Sequence, residues 1–154
     1  MDGGVRTMWM QQALEEANKA FHKGEVPVGA VLVYQNQIIS RAHNQVETLC
    51  DATAHAELLC LRQGAQQLGN WRLLDCTLYT TLQPCTMCSG AIILSRVGTL
   101  IWGAPDLRHG ADPALFSSHP IHQVVVQGGL LQEECGQILK IFFRQRRAQP
   151  LNLI

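Results

Sequence analysis

Three residues of the chain are strong metal ligands at a spacing that suits one ion. Cys85 and Cys88 are separated by two residues, so both sulfurs can reach a single metal from the first turn of a helix, and His55 can add an imidazole nitrogen. Structural zinc sites are normally closed by four Cys or His ligands, whereas catalytic sites have three protein ligands and an open position for water. The set therefore predicts a catalytic zinc site with one Zn²⁺ per chain.

Glu57 is the carboxylate closest to this set in the sequence. It follows His55 by two residues, and positions i and i+2 of a regular helix do not share a face, which argues against two side-by-side ligands. At the start of a helix Glu57 could still reach a water on the metal. Zinc lowers the pKa of such a water from about 15.7 to about 7. We therefore expect Glu57 to be the catalytic proton carrier of a hydrolytic reaction.

Each half of this pattern also has a simpler interpretation. A Cys-x-x-Cys pair alone could be a redox pair or half of a structural zinc site, and a lone His-x-Glu arises often by chance. The conjunction, with Pro84 directly before Cys85 and an apolar helical run after Cys88, favours the catalytic site. A structural site would need a fourth ligand, for which His43 and Cys50 are the nearby candidates.

Composition sets outer limits on the fold and its partners. The 154 residues are 47% hydrophobic with a formal net charge of zero, which suits a single domain over residues 1–154 and leaves any RNA contact to a local patch. No apolar stretch approaches the roughly 20 residues of a membrane span. Six cysteines without a signal peptide fit a reducing cytoplasm. Four of them are expected to be free thiols or buried small hydrophobes: Cys50, Cys60, Cys76 and Cys135.

The elements around the motifs are predicted from apolar periodicity and turn residues. In the first half of the chain we expect a helix from an N-cap at Thr7 to about Lys23, strands over 26–34 and 38–43, a loop over 44–53 and a helix from His55 to near Gly69. A strand over 77–82, a helix from Pro84 through Ser95 and a strand over 99–103 follow. The rest of the chain is predicted to form a mostly irregular segment over 104–122, a short strand over 124–126 and a helix from Leu131 to about Arg147. This order predicts an α/β fold, a three-layer α/β/α sandwich with a five-stranded mixed sheet.

The segments 53–57 and 83–88 resemble the signature of the cytidine deaminase superfamily, in which His-x-Glu is followed by Pro-Cys-x-x-Cys. Within that superfamily the chain is similar to the bacterial tRNA-specific adenosine deaminases, which convert wobble adenosine to inosine. The similarity also covers 25–33, Asn44, 51–57, 78–95, 103–106 and the ending 142–147. Within it, Asn44, Asp106 and the ending 142–144 point to the tRNA branch. The fold of that family, a five-stranded mixed sheet with helices on both faces, agrees with the predicted order of elements.

The resemblance implies specific roles for residues of this chain. It places zinc on His55, Cys85 and Cys88, with Glu57 as the proton shuttle. It also implies that Asn44 lies against a flipped base. Two further implications are that Asp106 lies near the adjacent nucleotide and that a homodimer contacts the tRNA anticodon loop with both subunits.

The end of the chain carries the local basic patch. Arg144, Arg146 and Arg147 follow Phe142 and Phe143 on the predicted last helix, where they can contact phosphates. The simpler interpretation is a solvated helix end whose cations complement the helix dipole. We include Phe143 and Arg144 among the candidate substrate-binding residues.

Three positions depart from the residues usual in the family. Gln83 stands where glutamate is usual, Ala52 where proline is frequent, and Pro105 where a basic or polar residue is common. The segment after Gly110 also looks shorter than usual. These differences leave the metal ligands intact. Pro105, with its fixed φ and no N–H, is expected to alter how the substrate loop presents Asp106.

Three functions remain open from the sequence. The first is hydrolytic deamination of adenosine in tRNA. The alternative is deamination of a free nucleobase such as guanine or cytosine, which uses the same zinc chemistry and needs no RNA surface. The third is a non-enzymatic role, as a structural zinc module or as the inactive partner of a heteromeric deaminase, and Glu57 is the main argument against it.

Overall fold

The computed structural model describes residues 3–149. The described chain forms α1 (Gly3–His22), β1 (Gly29–Tyr34), β2 (Gln37–His43), α2 (Val46–Leu49), α3 (Ala56–Leu68), β3 (Thr77–Leu82), α4 (Thr86–Leu94), β4 (Thr99–Ala104), α5 (Ala114–Ser118), β5 (Val125–Gly128) and α6 (Gln132–Ala148). The predicted order of the strands and of the four long helices is confirmed. Residues 1–2 and 150–154 of the predicted single domain lie outside the described part.

The five strands form one mixed sheet in the order β2-β1-β3-β4-β5. Strand β1 pairs antiparallel with β2 and with β3, whereas β3 pairs parallel with β4 and β4 parallel with β5. Parallel neighbours require a crossover connection, and α4 provides it between β3 and β4. The carboxyl ends of β3 and β4 therefore lie at the same edge of the sheet, the edge where α4 begins.

Helices cover both faces of this sheet, because the inner strands are apolar on both sides. On one face Val31, Tyr79 and Ile101 pack with Met10 of α1 and Cys135 of α6. The other face packs on α3, α4 and α5 through a second cluster that includes Leu32, Leu78, Leu100, Cys60, Ile92 and Phe116. The predicted three-layer sandwich is thus confirmed. No helix within residues 3–149 has the length and apolar character to cross a membrane.

The start of β1 lies unusually close to α1. A Cβ atom at Gly29 would overlap the backbone of Ala13 and of Ala17. Since these are backbone atoms of a packed helix, they cannot move aside as a flexible side chain would. The glycine therefore allows α1 to lie directly on the sheet.

Gly29→Ala is accordingly expected to destabilise the protein by about 1–3 kcal/mol or more, the usual range for overpacking a core. The matched control is Gly136→Ala in α6, where a Cβ would lie 3.9 Å from the Ala104 Cβ in ordinary contact. Alanine there should be neutral or stabilising by up to about 1 kcal/mol. Urea denaturation measures both free energies of unfolding, and equal stability of the two variants would contradict the close approach.

The predicted N-cap at Thr7 is wrong. Helix α1 already begins at Gly3, and the Thr7 hydroxyl donates a hydrogen bond to the Gly3 carbonyl at 2.8 Å. Threonine inside a helix commonly bonds the carbonyl four residues earlier, so its side chain gives no information about the helix start.

Two segments predicted as irregular contain short helices. Helix α2 forms within 44–53 because Glu25 accepts hydrogen bonds from the N–H groups of Glu47 and Thr48 at 3.1 and 2.6 Å. Helix α5 forms within 104–122, where the Asp112 carboxylate accepts from the N–H of Ala114 at 2.9 Å. Both helices are too short for an apolar period, and α2 is capped by a residue distant in sequence.

Candidate active site

The three predicted ligands meet where α3 and α4 begin. His55 is the residue directly before α3 and Cys85 the residue directly before α4, both in extended conformation. Cys88 lies in the first turn of α4. The start of α3 therefore supplies His55 and the start of α4 supplies both cysteines, so the site joins the two helices.

The distances between the donor atoms suit a zinc ion. His55 Nδ1 lies 3.6 Å from Cys85 Sγ and 3.5 Å from Cys88 Sγ, and all three donor atoms lie within 4.8 Å of one another. Tetrahedral zinc with Zn–S of about 2.3 Å and Zn–N of about 2.0–2.1 Å requires N and S atoms about 3.5–3.6 Å apart. These residues fit such an ion.

The group has three members within residues 3–149. The two candidates for a fourth ligand lie elsewhere: His43 Nδ1 is 3.2 Å from the Glu16 carboxylate, and Cys50 is an exposed free thiol. A closed structural site would need a fourth Cys or His, so the arrangement is that of an open site. The other three predicted non-ligand cysteines, Cys60, Cys76 and Cys135, are buried free thiols, as expected.

The three donor groups of this cluster shift one another's pKa values. Hydrogen bonds from Cys88 and His55 lower the pKa of Cys85 to about 4. The hydrogen bond to Cys85 raises the pKa of Cys88 and also that of His55. The lowered pKa of Cys85 favours its thiolate, the form that binds a metal, and the partial positive charge at the start of α4 acts in the same direction.

Glu57 lies in the first turn of α3 with 4% of its surface exposed. Burial raises the pKa of its carboxyl group to about 7, against the lowering effect of the nearby His55. Its carboxyl group also interacts with the Cys88 thiol. A carboxyl group that is half-protonated near neutral pH is well suited to accept a proton and return it.

Asn44 is buried directly after β2, and one atom of its side chain makes a hydrogen bond within the protein. Its Oδ1 accepts a hydrogen bond from the N–H of Ala56 at 2.9 Å. His55 makes no side-chain cap of α3, so Asn44 is what satisfies the first turn of that helix. Its amide NH₂ group is the part that remains for a ligand.

Asp106 shapes the loop on which it lies. Its Oδ1 accepts hydrogen bonds from the N–H groups of Arg108 and His109 at 3.1 and 3.0 Å. The Gly110 N–H also donates to the Asp106 carbonyl at 3.0 Å. The loop over 105–111 is therefore a tight turn held by internal hydrogen bonds.

A cavity of about 1390 Å³ connects these residues. It extends from buried Glu57 to the half-exposed side chain of Phe143 on α6. Small-molecule pockets usually measure about 300–1,000 Å³, so the cavity has room for more than one base. Its lining includes the candidate residues His55, Glu57, Cys85, Asn44, Asp106 and Phe143, and the basic residues Arg108, Arg146 and Arg147. Arg144 lies on the exposed surface of α6, outside this lining.

Sequence reasoning gave no role to several residues that line the cavity. Leu107, Arg108 and His109 belong to the 105–111 loop, and Gln83 lies directly before Pro84. Loop residues have no apolar period that would mark them. The one signal in the sequence was at Gln83, where the residue type departs from the family's usual glutamate.

The sheet order, the three-donor cluster and the buried glutamate beside it define a deaminase of the cytidine deaminase-like fold. Comparison with known proteins agrees, since residues 6–147 match the family described as MafB19-like deaminase. The chain belongs to this family and, within it, to the tRNA-specific adenosine deaminases.

Individual relatives support this assignment. The tRNA-specific adenosine deaminase of Bacillus subtilis (strain 168) is 47% identical over 91% of this chain and 89% of its own length. The chloroplastic tRNA(adenine(34)) deaminase of Arabidopsis thaliana is 46% identical over 92% of this chain, which spans 12% of that protein. A solved structure from work on A-to-I editing by tRNA:A34 deaminases has a TM-score of 0.82 at 41% identity, covering 86% of this chain and 99% of that one.

Proposed function

We propose that the protein converts adenosine to inosine at the wobble position of tRNA by hydrolytic deamination, with one zinc ion per subunit. The observation that carries this proposal is the single cavity that joins Glu57 to the aromatic and basic side chains of α6. A free base would occupy only the inner part of such a cavity. Relatives that are tRNA-specific adenosine deaminases over nearly the whole chain support the same substrate.

In this mechanism His55, Cys85 and Cys88 hold the ion. Bound zinc supplies Lewis acidity, which lowers the pKa of a water molecule into the neutral range. Glu57 takes a proton from the attacking water and transfers it to N1 of the adenine ring. It then takes the proton of the hydroxyl group added at C6 and passes it to the amino group, so that the C6–N bond breaks, ammonia leaves and a C6=O bond forms. Its pKa of about 7 suits both transfers.

Asn44 orients the base. Because its Oδ1 is held by the Ala56 N–H, its NH₂ group is left to donate to an acceptor atom of the purine. The base must leave the RNA stack to reach Glu57, and an unpaired base of an anticodon loop does so at little cost. Asp106 and Phe143, which also line the cavity, are proposed to contact the neighbouring nucleotide.

The homodimer and the cytoplasmic location also belong to the proposal. Met87 and Leu94 of α4 are 37% and 57% exposed, an apolar surface on the helix that carries Cys88 that a second copy would cover. Free cysteines and a tRNA substrate suit the reducing cytoplasm.

Sequencing of cDNA from tRNA treated with the purified protein tests the substrate, because inosine is read as guanosine. We expect guanosine reads at the wobble position. Guanine and cytosine are incubated in parallel, with ammonia release as the readout. Ammonia from a free base, with unedited tRNA, would favour the alternative function.

The cations of α6 give a second test of RNA binding. Arg146 donates to the Gly24 carbonyl and so links α6 to the turn that follows α1, and it lies over the Phe142 ring of its own helix at 5.0 Å. Within residues 3–149, Arg144 and Arg147 make no hydrogen bond or ion pair of this kind. The double variant Arg144→Ala/Arg147→Ala is therefore the cleaner probe.

We expect this double variant to bind tRNA more weakly and with a smaller salt dependence. The slope should fall by about 0.7–0.9 for each phosphate that is no longer neutralised. Turnover at saturating tRNA should change much less.

Asn44→Ala should do the opposite, lowering turnover with little effect on the salt slope, since its partner is a base. Binding and single-turnover rates across a salt series separate the two. Parent-like behaviour of the double variant at every salt concentration would make these arginines structural.

A further inference from the structure

We propose that Gln83 is a positioning residue. It fixes the substrate-facing loop over 105–111 and thereby sets how tightly the RNA substrate binds. The effect on RNA rests on the function proposed above, whereas the effect on the loop does not.

The Gln83 side chain bridges the two ends of this loop. Its Oε1 accepts a hydrogen bond from the Asp106 N–H at 3.0 Å, and its Nε2 donates to the Ala111 carbonyl at 3.4 Å. The amide thus uses both its acceptor and its donor on one loop. A carboxylate at this position could keep the first contact only, because it has no donor.

The loop backbone lies directly against this side chain. A Cβ atom at Gly110 would lie 2.5 Å from the Asp106 carbonyl oxygen, 2.7 Å from Gln83 Cδ and 2.8 Å from its Oε1, all closer than real Cβ atoms approach. The Ala111 N–H donates to the Pro84 carbonyl at 3.1 Å, and Gly110 pairs with Cys85. The loop is therefore seated on the segment 83–85.

Between its two ends the loop is held by internal hydrogen bonds, which the N–H groups of Arg108, His109 and Gly110 donate to Asp106. Removal of the two Gln83 hydrogen bonds would consequently let the turn shift as a unit, with its internal shape retained. The turn carries Asp106, Leu107, Arg108 and His109 into the cavity wall, and Leu107 is 95% exposed.

The chemical groups are held by other elements. His55 and Glu57 are positioned by α3 and Cys88 by α4. Cys85, which pairs with Gly110, is also held directly before α4, so a shift of the 105–111 turn moves the wall of the cavity and leaves the proton carrier in place. Contacts made equally in the ground state and the transition state change KM and leave kcat nearly constant. Gln83 should accordingly act on KM.

The test compares Gln83→Met, which keeps the length of the side chain and removes both hydrogen bonds, with Gln83→Glu, which keeps the acceptor. Gln67→Met on the exposed face of α3 is the matched control. An anticodon stem-loop is the substrate. Zinc per chain and amide hydrogen exchange of 105–111 are measured on the same samples.

For Gln83→Met we expect KM to rise about 3- to 10-fold, the effect of losing about one net hydrogen bond. We expect kcat to fall by no more than about 2-fold, zinc to be retained and exchange at Asp106 to accelerate. Gln83→Glu should recover most of the parent's KM, because the shorter contact to Asp106 persists. Gln67→Met should match the parent.

Gly110→Ala perturbs the loop itself, because its Cβ would meet the Asp106 carbonyl oxygen as well as Gln83. It should raise KM with kcat nearly constant, as expected if the placement of the loop acts on KM. A Gln83→Met protein with unchanged exchange and KM, or with a lower kcat at constant KM, would overturn the proposal. If the parent fails to deaminate the stem-loop, the proposed function fails, and the exchange data alone decide whether Gln83 positions the loop.

Discussion

Replacing Glu57 with glutamine is expected to lower turnover by about 10²–10⁴-fold, the usual contribution of a general acid–base group. Glutamine has nearly the same shape, so the first turn of α3 should pack as before around a side chain that is 4% exposed in the parent. The amide can neither take a proton from water nor deliver one to the leaving amino group. Thermal stability should not fall, because a neutral amide avoids the penalty of burying a charge.

Single-turnover rates at saturating stem-loop measure this effect, with zinc per chain determined on the same sample. Glu47→Gln is the matched control, since it removes one carboxylate from the exposed helix α2 and should react like the parent. Glu57→Gln should bind the stem-loop with an affinity close to that of the parent. A zinc-replete Glu57→Gln protein with nearly normal turnover would remove Glu57 from the mechanism.

Local signals in the sequence were sufficient for the elements that carry the site. The β-rich run over 77–82 became β3 with the same bounds, and Gly69 ends α3 with a φ of +65° that glycine adopts without strain. Pro84 and the apolar run after Cys88 located α4 to within two residues at its start. The spacing of Cys85 and Cys88 predicted that both sulfurs could reach one ion, and the structure brings them together with His55 within 4.8 Å.

Contacts between distant residues could not be predicted in this way. Asn44 was given a role toward the base, but its bond to the Ala56 N–H, twelve positions later, depends on how β2 meets α3. Likewise, the residue type at Gln83 was noticed, while its two partners on the 105–111 loop follow from the parallel pairing of β3 with β4. Such contacts are set by tertiary packing, which no local period encodes.

Cys85→Ala and Cys88→Ala are each expected to lose the zinc ion and essentially all turnover. Each variant removes one of the three proposed ligands among residues 3–149, and the two that remain are too few to hold the ion. Binding of the ion also stabilises the fold, because the site joins the starts of α3 and α4. Cys50→Ala is the matched control, since it removes an exposed thiol and should retain zinc. Full zinc content in both ligand variants would refute the assignment.

Thermal unfolding distinguishes the two ligands further. Cys85 is partly exposed, so Cys85→Ala should unfold at about the same temperature as parent protein stripped of metal by a chelator, since its main defect is the missing ion. Cys88 is fully buried in the first turn of α4, and its truncation also leaves a void in a close-packed region. Cys88→Ala should therefore unfold at a lower temperature than the stripped parent, and chelator should shift neither variant. A chelator-dependent shift in either variant would mean that metal is still bound and that another residue replaces the missing sulfur.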